Sequence, residues 1–250
     1  MIAAFVTGAM FILATFHYWT ATLITLALSI ASILVWLWRG TSFIPEKPEK
    51  DVGLGLTLPL YASGPASASW WAMFITMTGD ATAFFSLVFG YFFFFTIHTD
   101  FPPTGVEGPG LLWPAVSLVL FAHAWGAARI ALPLNRSGRV AAARLAMAGG
   151  GVLAIAAGGA LLWAPYTTGL EPSVHVYPAI VWTLCIWTAA HAAVGALMLF
   201  YCLARSLRGL LTPVYDIDIH NVALYWHFMG VTALVTLATI ALFPLAAGGS

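Results

Sequence analysis

Long apolar stretches alternate with short polar ones along the chain, and the charged residues fall almost entirely in the polar ones. Most of the apolar stretches reach the ~20 residues that an α-helix needs to cross a hydrocarbon core of about 30 Å. Helices satisfy their own backbone hydrogen bonds in lipid, and the stretches lack the in–out alternation of barrel strands. The pattern therefore predicts an all-α polytopic membrane protein with seven transmembrane helices. The predicted spans are 1–16, 19–38, 67–96, 111–132, 141–163, 176–203 and 222–247.

Composition agrees with a lipid-embedded chain. Hydrophobic residues make up 61% of the 250 positions, with only nine basic and nine acidic side chains. A soluble chain carries about a quarter charged residues. Zero net charge and the lack of a basic tract exclude nucleic-acid binding from the expected functions. Cys185 and Cys202 lie on one predicted helix, too far apart to pair, and are interpreted as small buried hydrophobes.

The polar stretch 39–66 divides the chain into a two-helix unit, 1–38, and a five-helix unit, 67–250. Prolines and charges at its head predict a stiff, solvated connector. The first span is the weakest prediction, because it is short. A cleaved signal peptide is an alternative for it, but the basic segment that such peptides carry is missing. We expect instead a tight hairpin with the second helix through His17-Tyr18.

Basic residues lie in or beside alternate loops only. The intervening loops carry Asp100, Glu107 and Glu171 but no Lys or Arg. Since positive loops stay on the cytoplasmic side, the N-terminus is predicted to be cytoplasmic and the C-terminus external. The basic residues are Arg39, Lys47, Lys50, Arg129, Arg136, Arg139, Arg144, Arg205 and Arg208.

Asp80 is the one carboxylate deep in a predicted span, about 20 Å from either end of that helix. A charge there is expensive, so the acid is a candidate for proton handling, and a hydrogen-bonded helix lock is an equal alternative. His123 and His191 lie at comparable depth and are interpreted as buried polar partners rather than paired haem ligands. We expect His191 to contact Asp80. No metal site is predicted, since Asp216 with its neighbours forms only a fragment of one.

Four segments resemble subunit III of haem–copper cytochrome c oxidases. Tyr225-Trp226-His227-Phe228 resembles the start of that family's last helix, and Gly79-Asp80 resembles its third helix with a membrane-embedded carboxylate. His191 with Gly195 resembles the His-x-x-x-Gly part of its helix-six motif. The segment 44–65 resembles the linker of bacterial chains in which subunits I and III are fused. That last resemblance would explain a helix that starts at Met1, and it leaves open whether the natural chain is fused to subunit I.

The chain also departs from the family pattern. Asp80 replaces the usual Glu of the third helix, and Thr188 replaces the first histidine of the helix-six motif. Gly230 stands where an acid usually follows the Tyr-Trp-His-Phe phrase. His220 and Asn221 stand where an acid usually precedes it. These departures place a fine proton-handling role in question, but not the fold or the partnership.

The resemblance implies an accessory subunit of a proton-translocating cytochrome c oxidase, with no redox or catalytic centre of its own. Haem and copper belong to the partner subunits I and II. Subunit III packs on subunit I in a bacterial inner (cytoplasmic) membrane and supports proton uptake and sustained turnover. Its helices form a 2+5 arrangement with a V-shaped cleft that holds phospholipid. Arg39 and Arg129 are candidates for contacting the lipid head groups.

Other functions compete with this one. An independent membrane transporter or proton channel would use Asp80 and the buried histidines. A quinol-oxidising relative of the same superfamily stays open, because the electron donor is chosen by other subunits. A retinal protein is excluded, because the only lysines, Lys47 and Lys50, lie in the connector and leave no intramembrane amine for a Schiff base.

Overall fold

A computed structural model describes residues 2–40 and 49–247, and 77% of the chain is helical. Within those ranges, six helices are long and apolar enough to cross a membrane. The protein is therefore an all-α, multi-pass membrane protein, as the apolar pattern predicts. The helices are α1 (Ile2–Thr15), α2 (Trp19–Gly40), α3 (Ala68–Ile97), α4 (Leu112–Arg136), α5 (Val140–Thr167), α6 (Val176–Leu207) and α7 (Ile217–Leu237).

The chain forms two compact units, Met1–Lys47 and Pro48–Ser250. In the first unit, α1 and α2 pack together, and the hydroxyls of Thr7 and Ser29 form a hydrogen bond between them. The turn at Phe16 and His17 uses a left-handed backbone at His17, with φ 61°. The predicted tight hairpin is thus confirmed. With 14 residues, α1 is only about 21 Å long and is shorter than the other apolar helices.

Part of the predicted connector, 41–48, with its prolines and charges Glu46 and Lys47, lies outside the described residues. The part that follows differs from the prediction. It forms an antiparallel β-hairpin from β1 (Glu49–Gly53) and β2 (Leu56–Pro59). Gly53 and Gly55 take positive φ angles at the turn, a conformation that glycine adopts without strain. The connector is therefore partly regular structure, and the division between the two units falls inside it.

In the second unit, α5 packs closely between α4 and α6. Its small residues allow this approach. A Cβ added at Gly150 would lie 3.1 Å from Ala127, and one at Gly151 would lie 2.7 Å from the ring of Phe200. The tight packing expected from the Gly/Ala composition of this helix is confirmed. Helix α7 completes the core by packing against α3, α4 and α6.

The last span does not continue as a regular α-helix. After α7, the residues Ala238–Leu242 form a π-helical turn, and a short helix α8 (Phe243–Ala246) follows. The ring of Phe243 lies 4.9 Å from those of both Phe92 and Phe95 on α3. The π turn therefore ends where the chain meets an aromatic cluster on α3.

Candidate functional site

Asp80 on α3 faces His191 on α6. The Oδ2 of Asp80 lies 3.9 Å from the Nε2 of His191, and the two side chains are 39% and 22% exposed. This distance exceeds a direct hydrogen bond but suits a close electrostatic contact or one bridging water. The structure thus brings together the two residues that the sequence analysis paired.

The backbone fixes the tautomer of His191. Its Nδ1 lies 2.8 Å from the carbonyl oxygen of Trp187. A carbonyl can only accept, so Nδ1 carries a proton. Nε2 is then the nitrogen that gains or loses a proton, and it is the one that faces the Asp80 carboxyl. The pair can therefore hold one transferable proton between an acid and a base.

Aromatic side chains hold the imidazole in place. The indole of Trp187 stacks on His191 with ring centroids 3.7 Å apart, and it also contacts Phe84 of α3 at 4.8 Å. Tyr225 of α7 donates its hydroxyl proton to the backbone oxygen of His191 over 2.8 Å. Three helices therefore converge on this one histidine.

The carboxyl of Asp80 is only partly buried. It lies on the side of α3 that carries the buried Met77 and Phe84, three residues before and four after. Asp80 is at the edge of that side, which leaves 39% of its side chain exposed. Asp80 is therefore a half-buried acid.

The prediction of a buried His123 is wrong. Its side chain is exposed, and its Nδ1 donates to the carbonyl oxygen of Val119 over 2.7 Å. The buried side of α4 is formed by Phe121, Ala124 and Ala128. At 100° per residue, His123 points about 130° from the mean direction of Phe121 and Ala124, so it faces outward. Because both sides of α4 are apolar in composition, the sequence did not indicate the direction in which His123 points.

The phrase Tyr225-Trp226-His227-Phe228 contributes both buried and exposed side chains. Trp226 is fully buried, and Tyr225 is 5% exposed. A Cβ added at Gly195 of α6 would lie 3.0 Å from Trp226 and 3.1 Å from Tyr225, so a larger residue there would press on both rings. His227 is exposed and accepts a hydrogen bond from Nε1 of Trp125 over 3.1 Å.

Two departures from the family pattern have local explanations. Thr188 pairs with Thr236 of α7 through their hydroxyl oxygens, 2.8 Å apart and buried. A Cβ at Gly230 would lie 2.7 Å from the indole of Trp125, so the neighbouring tryptophan occupies the space that a side chain would need. The two head-group candidates, Arg39 in the last turn of α2 and Arg129 on α4, are both exposed.

A second polar cluster lies at the end of the helices where Arg136 and Arg205 are found. Asp216, 1% exposed, accepts from Nε of Arg136 and from the hydroxyl of Ser63, each over 2.5 Å. Arg205 and Asp218 form a second ion pair at 2.7 Å. Both carboxylates of the apparent metal-site fragment are therefore paired with arginines. These ion pairs were not predicted from the sequence, although charged residues next to the ends of apolar helices indicate such pairing.

Tyr61 completes this cluster by accepting from the backbone N–H of Ile217 over 2.5 Å. Burial, together with the nearby Asp216, raises the pKa of Tyr61 to about 12. The phenol therefore stays neutral at physiological pH. Together with Ser63, it ties the segment before α3 to the start of α7.

No protein-family model and no curated protein matches the chain. The apolar helices establish that this is a helical, multi-pass membrane protein. A half-buried acid–imidazole pair lies where α3, α6 and α7 meet.

Proposed function

We propose that this protein is a non-redox accessory subunit of an aerobic respiratory haem–copper oxidase, equivalent to subunit III of cytochrome c oxidases. One observation carries the proposal. Three of the four segments that resemble the family lie on helices, and these three meet at one place. Asp80 of α3 faces His191 of α6 at 3.9 Å, and Tyr225 of α7 binds the backbone of His191. Unrelated short resemblances have no reason to become neighbours in the fold.

The contact between Gly195 and Trp226 adds to this argument. Both residues belong to the segments that carry the resemblance, and a Cβ at Gly195 would lie only 3.0 Å from the indole. The matched residues are therefore related by packing as well as by sequence. This is what a shared helix-six and helix-seven interface requires.

In the proposed complex, haem and copper reside in subunits I and II, and this chain packs on subunit I. The Asp80–His191 pair locks α3 to α6 and, in the stronger form of the proposal, buffers protons near subunit I. Phe85 and Phe89 on the exposed side of α3 suit an apolar neighbour, either lipid or a partner subunit.

The proposal also covers the arrangement in the membrane. It assigns seven helices in a 2+5 arrangement with a V-shaped, phospholipid-filled cleft, as the resemblance implies. The basic side is cytoplasmic in a bacterial inner membrane, with the N-terminus inside and the C-terminus outside. Arg39 and Arg129 are exposed and are proposed to contact lipid phosphates.

Isolation from native membranes tests the proposal. The tagged chain, extracted in mild detergent, should co-purify with haem-containing subunits, seen as a Soret band, while the chain alone should show no visible absorption. Removing the chain should shorten the active lifetime of the oxidase during turnover. Asp80→Asn is the matched control, because it preserves size and polarity and should preserve co-purification. A chain that isolates without haem proteins, or that binds haem itself, contradicts the proposal.

An independent proton channel is the second candidate, and the half-buried Asp80–His191 pair is the observation that favours it. The purified chain in liposomes distinguishes the two. Proton flux that is abolished in Asp80→Asn would support a channel. The oxidase proposal expects no flux above protein-free liposomes.

A further inference from the structure

Three metal-ligating side chains meet where α3 ends and α6 begins. His98 directly follows α3, Asp100 lies two residues later, and His175 directly precedes α6. One ligand atom from each lies within 4.8 Å of the others, and Oδ2 of Asp100 is 3.8 Å from Nε2 of His175. We propose that these residues form a binding site for a divalent transition metal of the Zn²⁺ class. The proposal does not depend on the oxidase assignment.

The fold positions the ligands. The backbone N–H of His98 donates to the carbonyl oxygen of Phe94 over 3.0 Å, which fixes the chain at the end of α3. Phe101, next to Asp100, is buried, with its ring 5.2 Å from Tyr91 and 5.1 Å from Tyr177. The loop is therefore anchored on both sides of the carboxylate. Pre-positioned ligands reduce the entropy that metal binding has to overcome.

The donor set matches the ion. Two imidazoles and one carboxylate are typical ligands of Zn²⁺, with bonds of about 2.0–2.2 Å and ligand atoms about 3.4 Å apart in a tetrahedron. The ligand atoms must therefore approach by about 1.4 Å from their widest separation of 4.8 Å. His98 and Asp100 are both exposed, so their side chains are free to make this adjustment. Their exposure also leaves a fourth position for water.

The surrounding charge favours a cation. The loops 98–111 and 168–175 carry Asp100, Glu107 and Glu171 but no lysine or arginine. The basic residues Arg205 and Arg208 lie at the other end of α6, which is 32 residues or about 48 Å long. The potential at the site is therefore set by the acidic groups.

Metal binding must rearrange one hydrogen bond. Nδ1 of His175 accepts from the backbone N–H of Tyr177 over 3.1 Å and so caps α6, which places the imidazole proton on Nε2. Binding of the ion through Nε2 moves that proton to Nδ1, which can then no longer accept. The α6 cap therefore opens when the metal binds. Faster amide exchange at Tyr177 in the presence of Zn²⁺ is the expected signature.

A chelator competition tests the site. The full chain, carrying a tag without histidines, is placed in phosphatidylcholine nanodiscs and titrated with Zn²⁺ against a chromophoric chelator. We expect one competed ion per chain. His98→Ala and His175→Asn should each weaken binding by more than about tenfold, and Asn at 175 keeps a side chain able to cap α6. His123→Ala, the exposed histidine on α4, is the matched control and should leave the affinity unchanged.

Cobalt provides a second measurement. Co²⁺ bound at a tetrahedral site with two histidines and one carboxylate should give visible d–d absorption that both ligand variants lose. The proposal is overturned if the chain withdraws no zinc from the chelator. It is equally overturned if His98→Ala and His175→Asn bind as the unaltered chain does, since that would mean adventitious surface binding only.

Discussion

The Arg136–Asp216 ion pair predicts an asymmetric response to mutation. Asp216 is 1% exposed and Arg136 is 47% exposed, so only the carboxylate depends on its partner for solvation. Arg136→Met leaves a buried carboxylate whose remaining hydrogen-bond donor, among the described residues, is the Ser63 hydroxyl, and removal of one partner of a buried pair costs about 3–5 kcal/mol. Asp216→Asn leaves a half-solvated guanidinium and a neutral amide, and should cost about 1–3 kcal/mol.

Unfolding of the purified chain in mixed micelles with increasing SDS, followed by circular dichroism, measures both losses. Arg208→Met is the matched control, because Arg208 is exposed and forms no ion pair with any described residue. It should change the free energy of unfolding by less than about 0.5 kcal/mol. A loss for Asp216→Asn equal to or larger than that for Arg136→Met would refute the burial argument.

Three further predictions concern single residues. Asp80→Asn should retain the fold and co-purification, whereas Asp80→Leu should lower thermal stability in detergent. The reason is that the amide, unlike leucine, can still interact with the facing imidazole of His191. Equal melting temperatures of the two variants would count against the pairing. Gly195→Ala should lower the free energy of unfolding by about 1–3 kcal/mol, because the added Cβ would lie 3.0 Å from Trp226. Gly159→Ala is the control, because there is open space around Gly159. In the same SDS titration it should be neutral or stabilising by up to about 1 kcal/mol. The pKa of Tyr61 is raised from 10.0 to about 12, so the folded state holds the phenol proton more tightly than the unfolded chain does. The contribution of Tyr61 to stability should therefore be full below pH 10 and lost between pH 10 and 12. A Tyr61→Phe chain with an unchanged alkaline stability profile would contradict this.

The apolar pattern was sufficient to predict α2 to α7, because length and composition decide whether a segment can cross a membrane. The hairpin Glu49–Pro59 was not predicted. Its strands are short and exposed on both sides, so they lack the alternation that marks a half-buried strand. Prolines and charges just before it also favoured irregular structure.

The candidate site was predictable in part. Depth within the span and residue type were enough to pair Asp80 with His191, because few polar groups are available at that level. The direction in which a side chain points from its helix was not predictable, since lipid-facing and core-facing positions are both apolar. His123 was predicted to be buried for that reason. The cluster of His98, Asp100 and His175 depends on two loops meeting across 75 residues, which no local pattern reports.

The π-helical turn Ala238–Leu242 bears on how related chains should be aligned. Such a turn accommodates one extra residue within a helix, and a relative lacking that residue would continue as a regular α-helix. Everything beyond the deletion would rotate by about 100° about the helix axis. Phe243 would then leave its contacts with Phe92 and Phe95. A one-residue gap at this point, with the flanking sequence unchanged, would therefore mark a lineage in which the aromatic cluster on α3 has been rebuilt.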